Sequence, residues 1–233
     1  MGVFAEFYDS HLQQPILLWV GAAIGLAAIL ARRDASPALR RYCLAFTAVS
    51  IVDAFLTGPA GVPGFGPLPG VLSYVLPVAL IVTGDLRYFL FLEATRSGEY
   101  RSPPLAGWLR ALAWSWIVPL LSRVVYAALP ATDIRSSRAL FLTYELLFLA
   151  LALLVNLVVV PRRTDPRARL WGARVGWFVI AYYALWVIAD LTIAAGHDLG
   201  YLVRTLANFV YYGGLLAVVC WAEPPRPAGA SRP

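Results

Sequence analysis

No lysine occurs in this chain, and arginine supplies all 19 of its strongly basic side chains. Such a bias is typical of translation from a GC-rich genome. Its chemical consequence is that no side chain can form a Schiff base with a carbonyl compound or act as a neutral amine base. Covalent catalysis through an amine is therefore excluded.

Charged residues are scarce as well, at 14% of the chain, while 60% of the residues are hydrophobic and the mean hydropathy is +0.70. This composition excludes a soluble domain with an ordinary surface. The net charge of +6 does not predict nucleic-acid binding, because the arginines cluster beside apolar segments, as they do in proteins oriented in a membrane. The expected partner is the lipid bilayer, and the expected location is the inner membrane of a bacterium.

Cysteine and histidine are too few to predict a metal centre. The two cysteines, Cys43 and Cys220, fall near helix ends that should face the cytoplasm, where a structural disulfide is not expected. The two histidines, His11 and His197, lie at or outside the membrane edges, and neither belongs to a CxxC or HExxH spacing. The sequence therefore predicts no haem, no zinc and no other cofactor.

Long apolar runs dominate what is present. Each is about 17–25 residues long, enough at a rise of about 1.5 Å per residue to cross a hydrocarbon core of about 30 Å. Seven such spans cover 14–31, 41–58, 70–94, 107–129, 138–160, 171–194 and 199–221. Gly21 and Gly25 form a GxxxG spacing in the first span, which predicts close packing against another helix. We predict an all-α bundle of seven transmembrane helices over residues 1–223, followed by a disordered cytoplasmic tail at 224–233.

The distribution of arginine predicts the orientation of this bundle. Most arginines follow the first, third and fifth spans or lie in the tail, and the opposite side holds only Arg135 and Arg138. By the positive-inside rule, the N-terminus is outside and the C-terminus is in the cytoplasm. An uncharged loop at 57–70, rich in glycine and proline, should cap the outer face as irregular chain.

Charged side chains inside the spans indicate where the protein works, since each costs about 2.5–3.5 kcal/mol at mid-membrane on insertion scales. Asp85 and Arg87 lie deepest, on nearly opposite faces of one helix, so at least one of them needs a partner on another helix. Arg123 and Asp190 have the alternative of snorkelling to the outer headgroups. The predicted buried polar network consists of Asp53, Asp85, Arg87, Arg123 and Glu145.

Polar and aromatic residues at helical spacing on the last two spans predict a cavity that opens outward. Residues four and seven apart share a helix face, and small-molecule pockets combine aromatic walls with a few convergent polar groups. Packing between helices is the alternative for each stripe taken alone. The candidate ligand-binding residues are Tyr182, Trp186, Asp190, Arg204, Asn208 and Tyr211, and Tyr212 is the alternative to Tyr211 on the face of Arg204 and Asn208.

Parts of the sequence resemble the microbial rhodopsins. The stretch VIAYYALWVIAD on the sixth span, with Tyr182 and Trp186, is similar to the aromatic retinal wall of that family, and the third span has Arg87-Tyr88 as the family does. The likeness covers only part of the chain, chiefly spans six and seven. It implies a seven-helix fold with the N-terminus outside, in agreement with the distribution of arginine.

The residues that retinal chemistry needs are replaced. Tyr211 stands where the retinal lysine of the family would be, and Leu90 and Ala207 occupy the positions of its two acidic counterions. The resemblance therefore excludes light-driven chemistry on covalently bound retinal. It implies an opsin-like scaffold that serves as a receptor or a non-covalent binder, although function does not transfer with fold.

Three functions follow as alternatives. The first is a ligand-binding or sensory protein that needs a partner protein, because its cytoplasmic loops are short. The second is a proton-coupled transporter or carrier with Asp85 as a protonatable relay, although no internal repeat supports it. The third is a membrane enzyme acting on lipid or isoprenoid substrates through Asp53 and Asp190, although no DDxxD motif occurs. We expect a binder of a small molecule or ion rather than a catalyst.

Overall fold

The computed structural model describes residues 2–58, 60–66, 68–128 and 137–225. These residues form helices and contain no β-strand, so the all-helical prediction is confirmed. The α-helices are α1 (Val3–Tyr8), α2 (Leu18–Ala31), α3 (Pro37–Leu56), α4 (Leu72–Ala94), α5 (Leu105–Ala128), α6 (Ser137–Leu154), α7 (Pro166–Ala194), α8 (Leu199–Phe209) and α9 (Leu215–Trp221). A π-helical turn at Leu12–Leu17 precedes α2, one at Val155–Val159 follows α6, and one at Val210–Gly214 joins α8 to α9. After the second of these, a 3-10 turn covers Val160–Arg162.

Six helical segments in the described part of the chain are long and apolar enough to cross a membrane, which indicates a membrane-embedded protein. They are Leu12–Ala31, Val75–Ala94, Leu105–Ala128, Arg138–Arg162, Pro166–Ala194 and Leu199–Trp221. With 20 residues, α3 is also long enough. It is less apolar, because Arg40 and Arg41 lie near its start and Asp53 lies near its end. Six of the seven predicted spans thus coincide with helical segments that are long and apolar enough to cross a membrane, and α3 coincides with the remaining one.

The helices form a ring in chain order. α2 packs on α3, α3 on α4, and so on to α7 on α8, and the π turn Val210–Gly214 packs back on α2 to close the ring. Two of the helix starts are specified locally by the sequence. The side chains of Ser36 and Asp165 accept hydrogen bonds from backbone N–H groups three residues on, at 3.2 and 2.9 Å, and a proline follows each.

Glycines allow the first and last long segments to meet backbone to backbone. A side chain added at Gly25 would strike the backbone of Gly213, and one added at Gly213 would strike the backbone of Gly21. The close packing predicted for Gly21 and Gly25 therefore occurs, and its partner is the π turn. The closure of the ring depends on the absence of side chains at these three positions.

One end of the ring is rich in arginine, and we call it the arginine end. It comprises the ends of α2, α4 and α9, the starts of α3, α5 and α7, and the 3-10 turn Val160–Arg162. Arg32 donates a hydrogen bond to the carbonyl of Cys220, and Arg174 donates one to the carbonyl of Ala222 at 3.3 Å. Cations at the C-terminus of α9 are favoured by the helix dipole. We call the opposite end the cavity end.

The loop at 57–70 lies at the cavity end, and its described residues form turns rather than a helix. An isolated bridge joins Val62 and Gly66 within it. Gly64 and Gly66 have φ values of +81° and +74°, which residues with side chains rarely adopt. The predicted irregular loop is therefore present. Arg135 and residues 226–233 of the predicted tail lie outside the described residues.

Replacing Gly25 by valine is expected to lower the Tm of the detergent-purified protein, because the new side chain would meet the backbone of Gly213. Overpacking of this kind costs about 1–3 kcal/mol, and a backbone neighbour cannot rotate away. Ala27→Val is the matched control, since Ala27 is exposed on the same helix. Equal Tm values for Gly25→Val and wild type, measured by tryptophan fluorescence, would contradict the backbone contact.

Candidate functional site

A cavity of about 220 Å³ lies at the cavity end, between α3, α4, α6, α7 and α8. Six aromatic residues that carry a polar group line it, namely Tyr8, Tyr144, Tyr183, Trp186, Tyr211 and Tyr212. Three carboxylates also line it, namely Asp53, Asp85 and Glu145. Arg204 is the one arginine among the described residues that line this space. Its walls therefore combine aromatic faces with more acidic than basic groups.

Four of the six candidate ligand-binding residues line this cavity, namely Trp186, Arg204, Asn208 and Tyr211. The indole N–H of Trp186 donates to the side-chain oxygen of Asn208 at 2.7 Å, which links α7 to α8. The ring of Trp186 also lies against that of Tyr211, with centroids 5.0 Å apart. Candidate residues from the sixth and seventh predicted spans thus lie together in one wall of this cavity.

The other two candidates, Tyr182 and Asp190, lie one layer behind that wall. Tyr182 is 2% exposed, and its ring packs edge-on against those of Trp186 and Tyr211, with centroids 5.4 and 5.5 Å away. Asp190 is completely buried and contacts Arg204. Both residues therefore position lining residues instead of facing the cavity themselves.

Arg204 is the centre of an ion cluster beside the cavity. Its Nη1 lies 2.5 Å from Asp190 Oδ1 and 3.1 Å from Glu145 Oε1, and its Nε donates to the hydroxyl of Tyr8 at 2.9 Å. Arg138 makes a second contact with Asp190 Oδ1, at 2.9 Å. The remaining oxygens of Glu145 and Asp190 are buried and accept no hydrogen bond from the described residues. Each carboxylate therefore retains the capacity to accept a further donor.

Asp85 is held by two tyrosines from neighbouring helices. Tyr183 on α7 donates to its Oδ1 at 2.8 Å, and Tyr144 on α6 donates to its Oδ2. Asp85 is 3% exposed, so these hydroxyls replace the water that a carboxylate would otherwise bind. The sequence required a partner on another helix for Asp85 or Arg87. For Asp85, that partner is a pair of tyrosine hydroxyls rather than a cation.

Arg87 lies in the interior of the ring, 2% exposed. Its Nη1 donates to the hydroxyl of Ser50 at 2.9 Å, and its Nε donates to the carbonyl of Gly84 at 3.0 Å. The guanidinium carbon lies 4.3 Å from the centre of the Tyr211 ring. A tyrosine ring and neutral oxygens thus surround this cation. The attraction between a cation and an aromatic ring is stronger where water is excluded.

Asp53 is half-buried and accepts hydrogen bonds from two residues. The hydroxyl of Tyr212 donates at 2.8 Å, and that of Thr57 donates at 2.9 Å.

Arg123 was expected to belong to the buried network, but it is exposed on α5 and borders a separate cavity. The buried face of α5 carries Ser122 and small residues instead. Counting along the helix gave the depth of Arg123 but not the face on which it lies.

Several residues of the site were not predicted from the sequence, namely Tyr8, Ser50, Tyr144 and Tyr183. The hydroxyls of Tyr144 and Tyr183 donate to Asp85, while those of Tyr8 and Ser50 accept from Arg204 and Arg87. The chain contains 12 tyrosines and no lysine, so tyrosine was the available donor for carboxylates inside the spans. Tyr8 had no such indication, because α1 precedes the first predicted span.

Comparison with known protein families, with curated proteins and with solved structures found no match. The resemblance to the microbial rhodopsins therefore stays a prediction based on the residues quoted above. Within the described part of the chain, no group of three or more histidines, cysteines, aspartates or glutamates is arranged to hold a metal ion.

Replacing Tyr183 by phenylalanine is expected to lower the free energy of unfolding by about 1–3 kcal/mol, because Asp85 Oδ1 would lose its donor inside the ring. The measurement is denaturant unfolding of the detergent-purified protein, followed by circular dichroism. An unchanged midpoint would contradict the hydrogen bond.

Tyr88→Phe is the matched control for this loss. Tyr88 is 1% exposed, and its hydroxyl has no hydrogen-bond partner among the described residues. Removing that hydroxyl should not lower stability, because no hydrogen bond is lost and a buried polar group without a partner is removed. Comparing the two variants distinguishes the loss of the hydrogen bond to Asp85 from the general effect of removing the hydroxyl of a buried tyrosine.

Proposed function

We propose that this chain is a small-molecule-binding membrane protein without covalent retinal, and that its ligand occupies the cavity of about 220 Å³ at the cavity end. The observation that supports this function is the convergence of carboxylates from α3, α4 and α6 on one aromatic-walled space. Small-molecule sites combine apolar or aromatic walls with a few fixed polar groups. The volume lies below the roughly 300–1,000 Å³ of drug-sized sites, so the ligand has few heavy atoms.

The charge of the lining favours a small organic cation as the ligand. Among the described lining residues, Asp53, Asp85 and Glu145 are acidic and Arg204 is the one arginine, and Arg204 is already shared between Glu145 and Asp190. The tyrosine and tryptophan faces add attraction for a cation that has lost its water. An anion would meet more carboxylates than arginines in this lining, where little water screens their charge.

The same proposal includes α3 as the seventh span, with the N-terminus outside and the C-terminus in the cytoplasm. α3 packs between α2 and α4 in the ring and supplies Asp53 to the cavity and Ser50 to Arg87. Arginines gather at the opposite end, which the positive-inside rule assigns to the cytoplasm. A sensory role would then pass through a partner protein at the arginine end.

A proton-coupled carrier is the second candidate, and Asp85 favours it. Asp85 lines the cavity and is joined by hydroxyls to α6 and α7. Nearer the arginine end, the hydroxyl of Tyr88 and the Oδ1 of Asn156 are buried without partners among the described residues, and both lie beside Gly176. A carboxyl followed by spare polar atoms is a plausible start of a proton path. If Asp85→Asn in proteoliposomes retains full proton-coupled uptake, Asp85 has no part in such a path.

Binding is tested with choline and ethanolammonium as probes and acetate as the anionic comparison, by thermal shift and native mass spectrometry. We expect the cations to raise the Tm and acetate to have no effect. Asp53→Asn should weaken cation binding about ten-fold or more, because it removes a carboxylate that lines the cavity.

Asp9→Asn serves as the control for this test, since Asp9 is an exposed carboxylate at the same end of the molecule. Its affinity for the cations should equal that of wild type. Failure of both cations to bind, or an equal loss of affinity in Asp9→Asn, would contradict the proposed ligand class.

The topology is tested with single cysteines placed on either side of α3, in a chain in which Cys43 and Cys220 are serine. Asp34 and Phe65 are both exposed and lie before and after that helix. A membrane-impermeant maleimide added to intact spheroplasts should label Phe65→Cys and spare Asp34→Cys. Equal labelling of the two would show that α3 does not cross, and the reverse pattern would overturn the orientation.

A further inference from the structure

A second cavity, of about 540 Å³, lies at the arginine end between α4, α5 and the segment that follows α6. Its rim carries four arginines and one glutamate. Glu93 is shared between Arg96 and Arg110, at 2.8 and 2.7 Å. Arg163 donates to the carbonyl of Leu92 at 2.6 Å. The rim therefore holds more positive charge than its single carboxylate neutralises.

Arg162 completes the rim and differs from the other three arginines. It is exposed, it borders the cavity, and it forms no ion pair or side-chain hydrogen bond with the described residues. A guanidinium group binds phosphate through paired N–H donors, and this one is available to do so. The rim thus has the charge and the donors to bind an anion.

The wall below the rim is apolar. The rings of Phe89 and Trp114 are stacked there, with centroids 5.9 Å apart and planes 18° from parallel. Val159 is 39% exposed and faces the same space. An inorganic anion would contact the rim alone and leave this wall unused. A molecule with an anionic head and an apolar chain matches both parts.

We infer that this cavity binds an anionic phospholipid, with the phosphate on the arginine rim and an acyl chain along the wall of Phe89, Trp114 and Val159. The cavity lies at the end of membrane-spanning helices, where lipid headgroups meet protein, and basic pockets between such helices retain anionic lipids. This site is separate from the one proposed for the organic cation, and the two proposals stand or fall independently.

The test is native mass spectrometry of the detergent-purified protein, titrated with phosphatidylglycerol, phosphatidylcholine or glycerol 1-phosphate. We expect one saturable phosphatidylglycerol adduct, and much weaker binding of the zwitterionic lipid and of the tailless phosphate. Arg162→Gln should weaken phosphatidylglycerol binding about five-fold, the effect of one arginine at an anionic headgroup. Arg162 is exposed, so this variant is expected to fold.

Arg169→Gln is the matched control, because it removes the same charge from an exposed position at the same end and away from the cavity. It should bind phosphatidylglycerol as wild type does. Val159→Asn should weaken the lipid several-fold and leave glycerol 1-phosphate unchanged. Equal losses in Arg162→Gln and Arg169→Gln, equal binding of the two lipids, or tight binding of glycerol 1-phosphate would each overturn the proposal.

Discussion

The two tyrosine hydroxyls that bind Asp85 join three helices at the centre of the ring. A carboxylate at this depth has little water to bind, so its stability depends on donors from other helices. Tyr144 and Tyr183 supply those donors from α6 and α7, while Asp85 itself belongs to α4. The same three residues line the cavity, so the wall of the proposed site is built from contacts that hold the helices together.

Charge is separated along the ring in a way that gives its two ends different chemistry. At the cavity end, carboxylates outnumber the arginine that lines the space, and tyrosines satisfy most of them. At the other end, arginines bind helix carbonyls or surround Glu93. The described lining of the cavity at the cavity end is therefore mainly acidic among its charged groups, and the rim of the cavity at the arginine end is mainly basic.

Much of the fold and part of the site followed from the sequence, since apolar run length and helical spacing are local properties. They predicted the long helices and brought Trp186, Asn208 and Tyr211 to one wall. Contacts between helices far apart in the chain were not predictable, such as Tyr8 on Arg204. Arg123 shows the same limit, because depth along a helix does not tell which face is covered by its neighbours.

The π turn at Val210–Gly214 changes the phase of the last segment. In an α-helix, consecutive side chains point about 100° apart, and a wider turn changes this spacing. The wider turn holds Tyr211 over Arg87 while Tyr212 reaches Asp53. It also supplies Gly213 to the contact with α2. Ring closure and the shape of the cavity wall therefore both depend on this turn, and converting it to a regular α-helix would alter both.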